Sequence, residues 1–452
     1  MLFHGPLFLF LFLPLAVALY WLAAARPALR TLALCLAGAV FYGAAAGLAP
    51  LALLLALSVV TYGGAAASTG AAAPRPVIGL AVLVLDLAVL AAFKLGEAAS
   101  AGALLPLGLS FYTFNLVSYA VDVRRGQGPT AASWLALASY ATFFPIVSSG
   151  PLVRYGDFQR QQAAPPRFDA LLVESGVVRL IVGLAKKLLV ADPLGLAVEP
   201  LFAGYERLGL VEAWLAVLGY AYQLYFDFSG YTDMAIGAAA LLGFRIPENF
   251  NAPYTALHIT DFWQRWHMTM SRWFRDYLFL PLSRALLRRR SSLAGAERVR
   301  ALCLVLTMVV IGAWHGSSWS FLAWGLFHGL LLAGHAQART MLRLSLPAWA
   351  SRALTFLAVL AGWVLLRSPS PGMALTIWGA MLGTRGLADR VGGPSAGLAA
   401  AIGLLLVATN APVEAYLLGS QRRPLRSWAL AALLAISLLS LGGRSPFLYF
   451  QF

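Results

Sequence analysis

Between Ala301 and Ala338 the chain carries no Asp, Glu, Lys or Arg, and His315 lies within that stretch. Such a run reads as membrane-spanning, because about 20 apolar residues cross the hydrocarbon core of a bilayer. Water is scarce at that depth, so an imidazole there must be housed by protein, and ionisable groups in such places mark functional sites. The string GAWHGSSWSFLAWGLFHGLLLAGH, residues 312 to 335, therefore constrains both the fold and the place where chemistry is to be sought.

The remaining sequence points to the same surroundings. Of its residues 60% are hydrophobic and 11% charged, and the mean hydropathy is +0.76, values that exclude an ordinary soluble enzyme. Apolar windows occur near 6–25, 29–48, 50–66, 77–96, 104–121, 133–150, 175–191, 208–226, 301–335 (one span or two), 353–366, 396–412 and 427–443. They predict an all-α polytopic membrane protein with about eleven transmembrane helices, some windows being short enough for re-entrant or interfacial pieces. The first window lacks the basic leader and short core of a cleaved signal peptide, and Arg26 and Arg30 follow it. It is expected to stay as a helix with the N terminus outside.

The net charge of +15, from 33 basic and 18 acidic residues, gathers in short stretches, which makes nucleic acid an unsuitable partner. Arg284, Arg288, Arg289, Arg290, Arg298 and Arg300 make the segment 283–300 a basic, cytoplasmic loop by the positive-inside rule. A docking site for an anionic thioester donor is the alternative reading of that cluster. Arg422, Arg423 and Arg426 read in the same way. Cys35 and Cys303 fall in or beside apolar windows and offer neither a disulfide framework nor a metal site. There is no Walker loop, no GxGxxG after a strand, no HExxH and no separate soluble domain, so residues 1–452 read as one integral-membrane domain.

From Tyr220 to Tyr254 the sequence changes character, as aromatics, carboxylates, Gly and Pro interrupt what hydropathy would make a span. Broken backbone at membrane depth needs cover from protein or a water-filled cavity, so this stretch is expected to line a cavity. Asp227 and Asp233 lie in it, six residues apart. On a helix that spacing puts them on different faces, which argues against a shared metal or a carboxylate dyad and favours capping or pairing with arginines.

The next segment, DFWQRWHMTMSRWFRDYLFLPL at 261–282, repeats Trp263, Trp266, Met270, Trp273, Phe274 and Tyr277 at helical spacing, with Arg265, Arg272 and Arg275 on another side. It predicts an amphipathic helix in the membrane interface. His267 lies within that aromatic belt, and its residue type alone leaves open a satisfied structural histidine or a second catalytic base. For His315 composition leaves a catalytic and an interhelical hydrogen-bonding role equally open.

Several long strings resemble the membrane-bound O-acyltransferases, in particular the bacterial branch that includes alginate O-acetyltransferase. They are LPLGLSFYTFNLVSYAVDVRRG at 105–126, FFPIVSSGPLVR at 143–154, YFDFSGYTDMAIGAAALLGFRIPENFNAPY at 225–254, the 261–282 segment, GAWHGSSWSFLAWGLFHG and the terminal FLYFQF. The resemblance implies a multi-helix fold around a central tunnel, with His315 matching the family's catalytic histidine and His267 its second recurring polar position. One departure is that the branch commonly follows its RDYL string with a glycine-rich turn, where this chain has Ser283 and Arg284. The segment after it is therefore expected to be built differently.

Acyl transfer from a thioester to an alcohol suits such residues, because it needs a base, an oxyanion donor and exclusion of water. A neutral imidazole takes a hydroxyl proton well, with an unperturbed pKa near about 6.5. A dry site suppresses hydrolysis by the competing solvent. Gly312 and Gly316 are expected to free backbone N–H groups for an oxyanion. Trp314, Gly316, Ser317, Ser318, Trp319, Asp227, Asp233, Tyr231 and Trp266 are the expected substrate-binding or tunnel-lining residues, whereas His328 and His335 read as packing residues.

These readings combine into an expected inner-membrane O-acetyltransferase of exopolysaccharide modification, alginate-like, with His315 as base and His267 in support. Its donor is expected to be acetyl-CoA or another acyl thioester, with no bound cofactor and no metal, since no cluster has ligand spacing. Expected partners are membrane lipid, a periplasmic or secreted acetyltransferase and the polysaccharide machinery. D-alanyl transfer to a cell-wall polymer is the nearest alternative, and a lipid or protein acyltransferase a further one. A proton-coupled transporter using Asp86, Asp227, Asp233 and His315, or an anchoring scaffold, would be of another class.

Overall fold

A backbone without water must bond its own N–H and C=O groups, and a single helix is the shortest way to do so. In the computed structural model, which describes residues 1–69, 75–99, 105–288, 293–341, 346–387, 394–410 and 424–441, all regular elements are helices. Arg289, Arg290, Arg422, Arg423 and the terminal FLYFQF lie outside the described residues. Four helices are long and apolar enough to cross a membrane, Pro27–Ala46, Leu48–Thr69, Pro76–Gly96 and Ala348–Arg367, among those described. They coincide with four of the windows read from the sequence, and the chain is a helical membrane protein.

The chain divides into two compact units, each drawn from distant parts of the sequence. The first comprises Met1–Ala185, Gly230–Glu248 and Ser420–Arg444; the second comprises Lys186–Ser229, Asn249–Gly419 and Ser445–Phe452.

Within the first unit, Phe3, Phe8, Phe12, Phe41 and Phe144 form an aromatic knot at the N-terminal end, with ring centroids 4.6 Å apart for Phe3–Phe8 and 5.1 Å for Phe12–Phe144. Arg179 bridges Asp233, at 2.7 Å, and Glu248. Thr61 donates to the buried Asp86 carboxylate at 3.0 Å. Helix Ala170–Ala185 meets residues 230–241 through glycine: a Cβ on Gly183 would lie 2.6 Å from the Gly230 carbonyl oxygen, and one on Gly237 would lie 2.6 Å from that of Gly176.

This contact explains a correction to the sequence reading. The stretch expected to be broken after Tyr220 is instead a continuous helix, Leu210–Leu241, and irregular backbone begins only beyond it. Gly230 and Gly237 are not breakers here. They let two helices approach closely, and that packing offsets the roughly 0.5–1 kcal/mol by which glycine disfavours a helix interior.

In the second unit the 301–335 window resolves into two helices, Leu293–His315 and Trp319–Met341, joined at Gly316–Ser318. Small residues again set the distance. A Cβ on Gly312 would lie 2.3 Å from the Phe321 carbonyl oxygen, one on Gly325 2.4 Å from that of Met308, and one on Gly329 2.8 Å from the Val305 Cα. Pairs that diverge in sequence with distance from the turn define an antiparallel hairpin. The single amphipathic helix expected over 261–282 is divided into Ile259–Arg265, Met268–Phe274, a π-helical turn Arg275–Phe279 and Leu280–Leu287. In the basic segment 283–300, Arg284 is helical rather than part of a loop, as are Arg298 and Arg300, because the two flanking helices extend into it.

Gly183→Leu should force the glycine contact apart at a cost of about 1–3 kcal/mol. The check is thermal unfolding of the detergent-purified protein: its midpoint falls for Gly183→Leu and does not fall for Gly63→Ala, a helical position with no atom within 4 Å of its Cβ.

Candidate active site

The chain bends sharply between two short helices at Trp266 and His267, and the bend defines the site. His267 has φ 43° and ψ 52°, the left-handed region that costs a residue with a Cβ roughly 1–3 kcal/mol. Asn249 supplies the compensation. Its main-chain carbonyl accepts the Met268 N–H at 2.9 Å. Its side-chain Oδ1 accepts from the Thr269 N–H at 3.1 Å and the Thr269 hydroxyl at 2.9 Å, and lies 3.2 Å from His267 Nδ1. The Asn251 N–H adds a bond to the Arg265 carbonyl at 3.0 Å.

These bonds also determine the histidine's tautomer. An oxygen that accepts a backbone N–H is the amide oxygen of Asn249, so the group facing it from His267 must donate. A proton therefore sits on Nδ1, and when the ring is neutral Nε2 carries the lone pair. Phe228 packs its edge against this imidazole, with centroids 4.8 Å apart, and His267 is 1% exposed.

His267 and His315 line one cavity of about 20 Å³ together with four indoles, Trp263, Trp266, Trp324 and Trp363, and the apolar side chains of Leu224, Met270 and Leu366. His315 closes its helix and is 8% exposed, with Trp314 at 4.6 Å and Trp324 edge-on at 5.1 Å. The indoles brace one another: Trp263 and Trp324 are 5.7 Å apart, and Trp266 and Trp363 4.9 Å. His328 stands against this wall, 5.3 Å from Trp263 and 5.0 Å from Trp324, with no solvent exposure. It fits where it does because a Cβ on Gly362 would come within 2.3 Å of its Nε2.

Of the residues expected from sequence to bind substrate, Trp266 lines this cavity beside the two histidines. Trp314, Gly316, Ser317, Ser318, Trp319, Asp227, Tyr231 and Asp233 do not. Ser317 is exposed and Trp319 is 75% exposed. The Ser318 carbonyl starts the following helix by accepting the Phe321 N–H at 3.1 Å. Gly316 donates its N–H to the Gly312 carbonyl at 3.4 Å, so that N–H is not one of the free donors expected from a break at these two glycines. Their missing side chains serve the hairpin instead. Asp227 pairs with Lys187 at 2.7 Å, which also holds Asp192 at 2.8 Å. Asp233 pairs with Arg179, and Tyr231 shares a hydrogen bond with Ser148.

Sequence reasoning passed over Asn249, Trp324 and Trp363. Asn249 carried one signal: it opens the NFNAPY turn between a long helix and the Trp-rich segment, where backbone groups need a side-chain partner.

Comparison with known proteins places the chain in a family. The model of the membrane-bound O-acyltransferase family matches residues 126–364, more than half of the chain, and the chain belongs to that family. It is 37% identical to a probable alginate O-acetylase of Pseudomonas syringae pv. tomato over 285 residues, 62% of this chain and 52% of the relative. It is 31% identical to the peptidoglycan O-acetyltransferase of Helicobacter pylori over 317 residues, 63% of this chain and 58% of that protein. It is 32% identical to the teichoic acid D-alanyltransferase of Bacillus subtilis over 228 residues, 50% of this chain and 58% of the relative. The chain thus spans about half the length of the curated relatives it matches.

Asn249→Ala removes the acceptor that fixes the tautomer and the bend. A loss of about 1–3 kcal/mol, or roughly 5- to 150-fold in rate, is expected in an acyl-transfer assay at matched protein levels. Asn249→Asp, which retains the acceptor, should keep more of the activity.

Proposed function

We propose that this chain is an O-acetyltransferase of the bacterial inner membrane, crossing it several times, that moves an acetyl group from a cytoplasmic thioester to hydroxyls of an extracytoplasmic polysaccharide. The observation that carries the proposal is the pairing of His267 and His315 in one small cavity walled by indoles. Such a wall excludes water, the competing nucleophile, without placing another charge beside the bases. In this reading His315 takes the proton of the attacking hydroxyl, and His267, whose Nδ1–H is committed to Asn249, offers Nε2 to a donor in the cavity and keeps the reacting groups in register.

The size of the cavity favours a small acyl group. About 10–15 Å³ of such volume accommodates one water, so about 20 Å³ suits a group of very few heavy atoms rather than a long lipid chain. The two acetylating relatives support acetyl, and the alginate relative supports a polysaccharide acceptor. D-alanyl transfer is the second reading, supported by the teichoic acid relatives at lower coverage of this chain. Transport is disfavoured by the carboxylates it would need, since Asp86, Asp227 and Asp233 are each engaged by a different partner: Thr61, Lys187 and Arg179. Polysaccharide machinery and a periplasmic or secreted acetyltransferase are the partners this function calls for.

The test is acetate released by alkali from the host's extracellular polysaccharide, at membrane levels of protein matched by immunoblot. His315→Ala should lower it at least about 100-fold, the usual scale for a lost general base, while polymer yield is kept. Unchanged acetate on deleting the whole protein would sink the proposal.

A further inference from the structure

Acyl transfer puts negative charge on the carbonyl oxygen, and catalysis of it needs hydrogen-bond donors where that charge develops. The Gly316 N–H does not supply one, because it is bonded to the Gly312 carbonyl. Among the residues that line the cavity, the candidate donors are side chains. Leu224, Met270 and Leu366 have none, and the proposed function uses the two histidines as base and support. What remains is indole N–H. Trp363 spends its own on the Tyr254 hydroxyl, 3.2 Å away, and the Trp266 indole nitrogen is not among the buried atoms that lack a partner. The indole nitrogens of Trp263 and Trp324 are buried and have no hydrogen-bond acceptor among the described residues.

A buried N–H without an acceptor destabilises the fold, and phenylalanine would build the same apolar wall without that loss. The two rings meet at 76° with centroids 5.7 Å apart, and Trp324 also touches His315. Both line the cavity that contains His315 and His267. We propose that the indole N–H groups of Trp263 and Trp324 form the oxyanion site, receiving the carbonyl oxygen of the acyl donor. The proposal rests on the acyl-transfer reading of the same cavity.

The step balances as follows. The acceptor hydroxyl oxygen forms a bond to the thioester carbonyl carbon, its proton passes to His315, and the carbonyl π pair moves onto oxygen, where the two N–H groups hold it. As that pair returns, the C–S bond breaks, and the thiolate leaves with the proton carried by the His315 imidazolium. His328 packs against both indoles, with ring centroids 5.3 Å from Trp263 and 5.0 Å from Trp324.

Replacing each tryptophan by 3-benzothienylalanine keeps the bicyclic shape and exchanges N–H for sulfur. Host membranes carrying each variant, supplemented with the host's periplasmic and secreted proteins, would be given acetyl-coenzyme A and deacetylated host polysaccharide, alongside wild type and His315→Ala. The expected result is a fall in kcat of about 100-fold for either isostere, with the donor KM within about twofold and the thermal midpoint unchanged. Trp324→Phe, which also removes the N–H, should fall alike. Full kcat in both isosteres, with wild type active and His315→Ala inactive, overturns the oxyanion site and leaves acyl transfer standing. An inactive wild type under these conditions overturns both.

Discussion

The bend at His267 is what the cavity depends on, and a single amide holds it. Asn249 gives its main-chain carbonyl to Met268 and its side-chain oxygen to Thr269 and His267, so a left-handed residue and two helix ends are stabilised together. In water such a bend would have solvent to bond its groups. Buried, it has only what the chain brings, and an unbonded amide there would cost more than the bend itself. Strain held at one residue by surrounding hydrogen bonds is a common mark of a functional position, and here the strained residue lines the cavity.

Close helix packing is the second constraint. Glycine appears where one backbone must approach another: Gly183 against Gly230, Gly312 against Phe321, Gly325 against Met308. Within a bilayer, apolar side chains gain little by leaving lipid for protein, so helices associate through tight contact and hydrogen bonds. The glycines flanking His315 therefore belong to the scaffold. They bring the two helices of the hairpin together so that Trp324, on the second, reaches His315 at the end of the first.

What the sequence made legible follows from this. The helical class and four membrane-length segments came from hydropathy, which depends on local composition alone. His315 and His267 stood out because polar residues in apolar or aromatic surroundings are conspicuous, and they share a cavity. The continuous helix Leu210–Leu241 was misread because its glycines and carboxylates resemble breakers until their partners are known: Asp227 has Lys187, Asp233 has Arg179 and Gly230 has Gly183. The walls of the site were equally hidden. Trp263, Trp324 and Trp363 come from three helices, and no local pattern says that their rings meet.

Under the proposed function, an aromatic wall also explains how so apolar a place can serve a polar reaction. Indoles exclude water as leucines do, yet each carries one N–H that can be directed without adding a charge. A lysine or arginine in the same position would stabilise an oxyanion too, but it would oppose protonation of His315 during attack and would bring its hydration with it. Neutral donors and neutral bases avoid both costs. Lys187, paired with Asp192 and Asp227, places formal charge elsewhere in the second unit, and under the proposed function the cavity is left to groups that acquire charge only as the reaction proceeds.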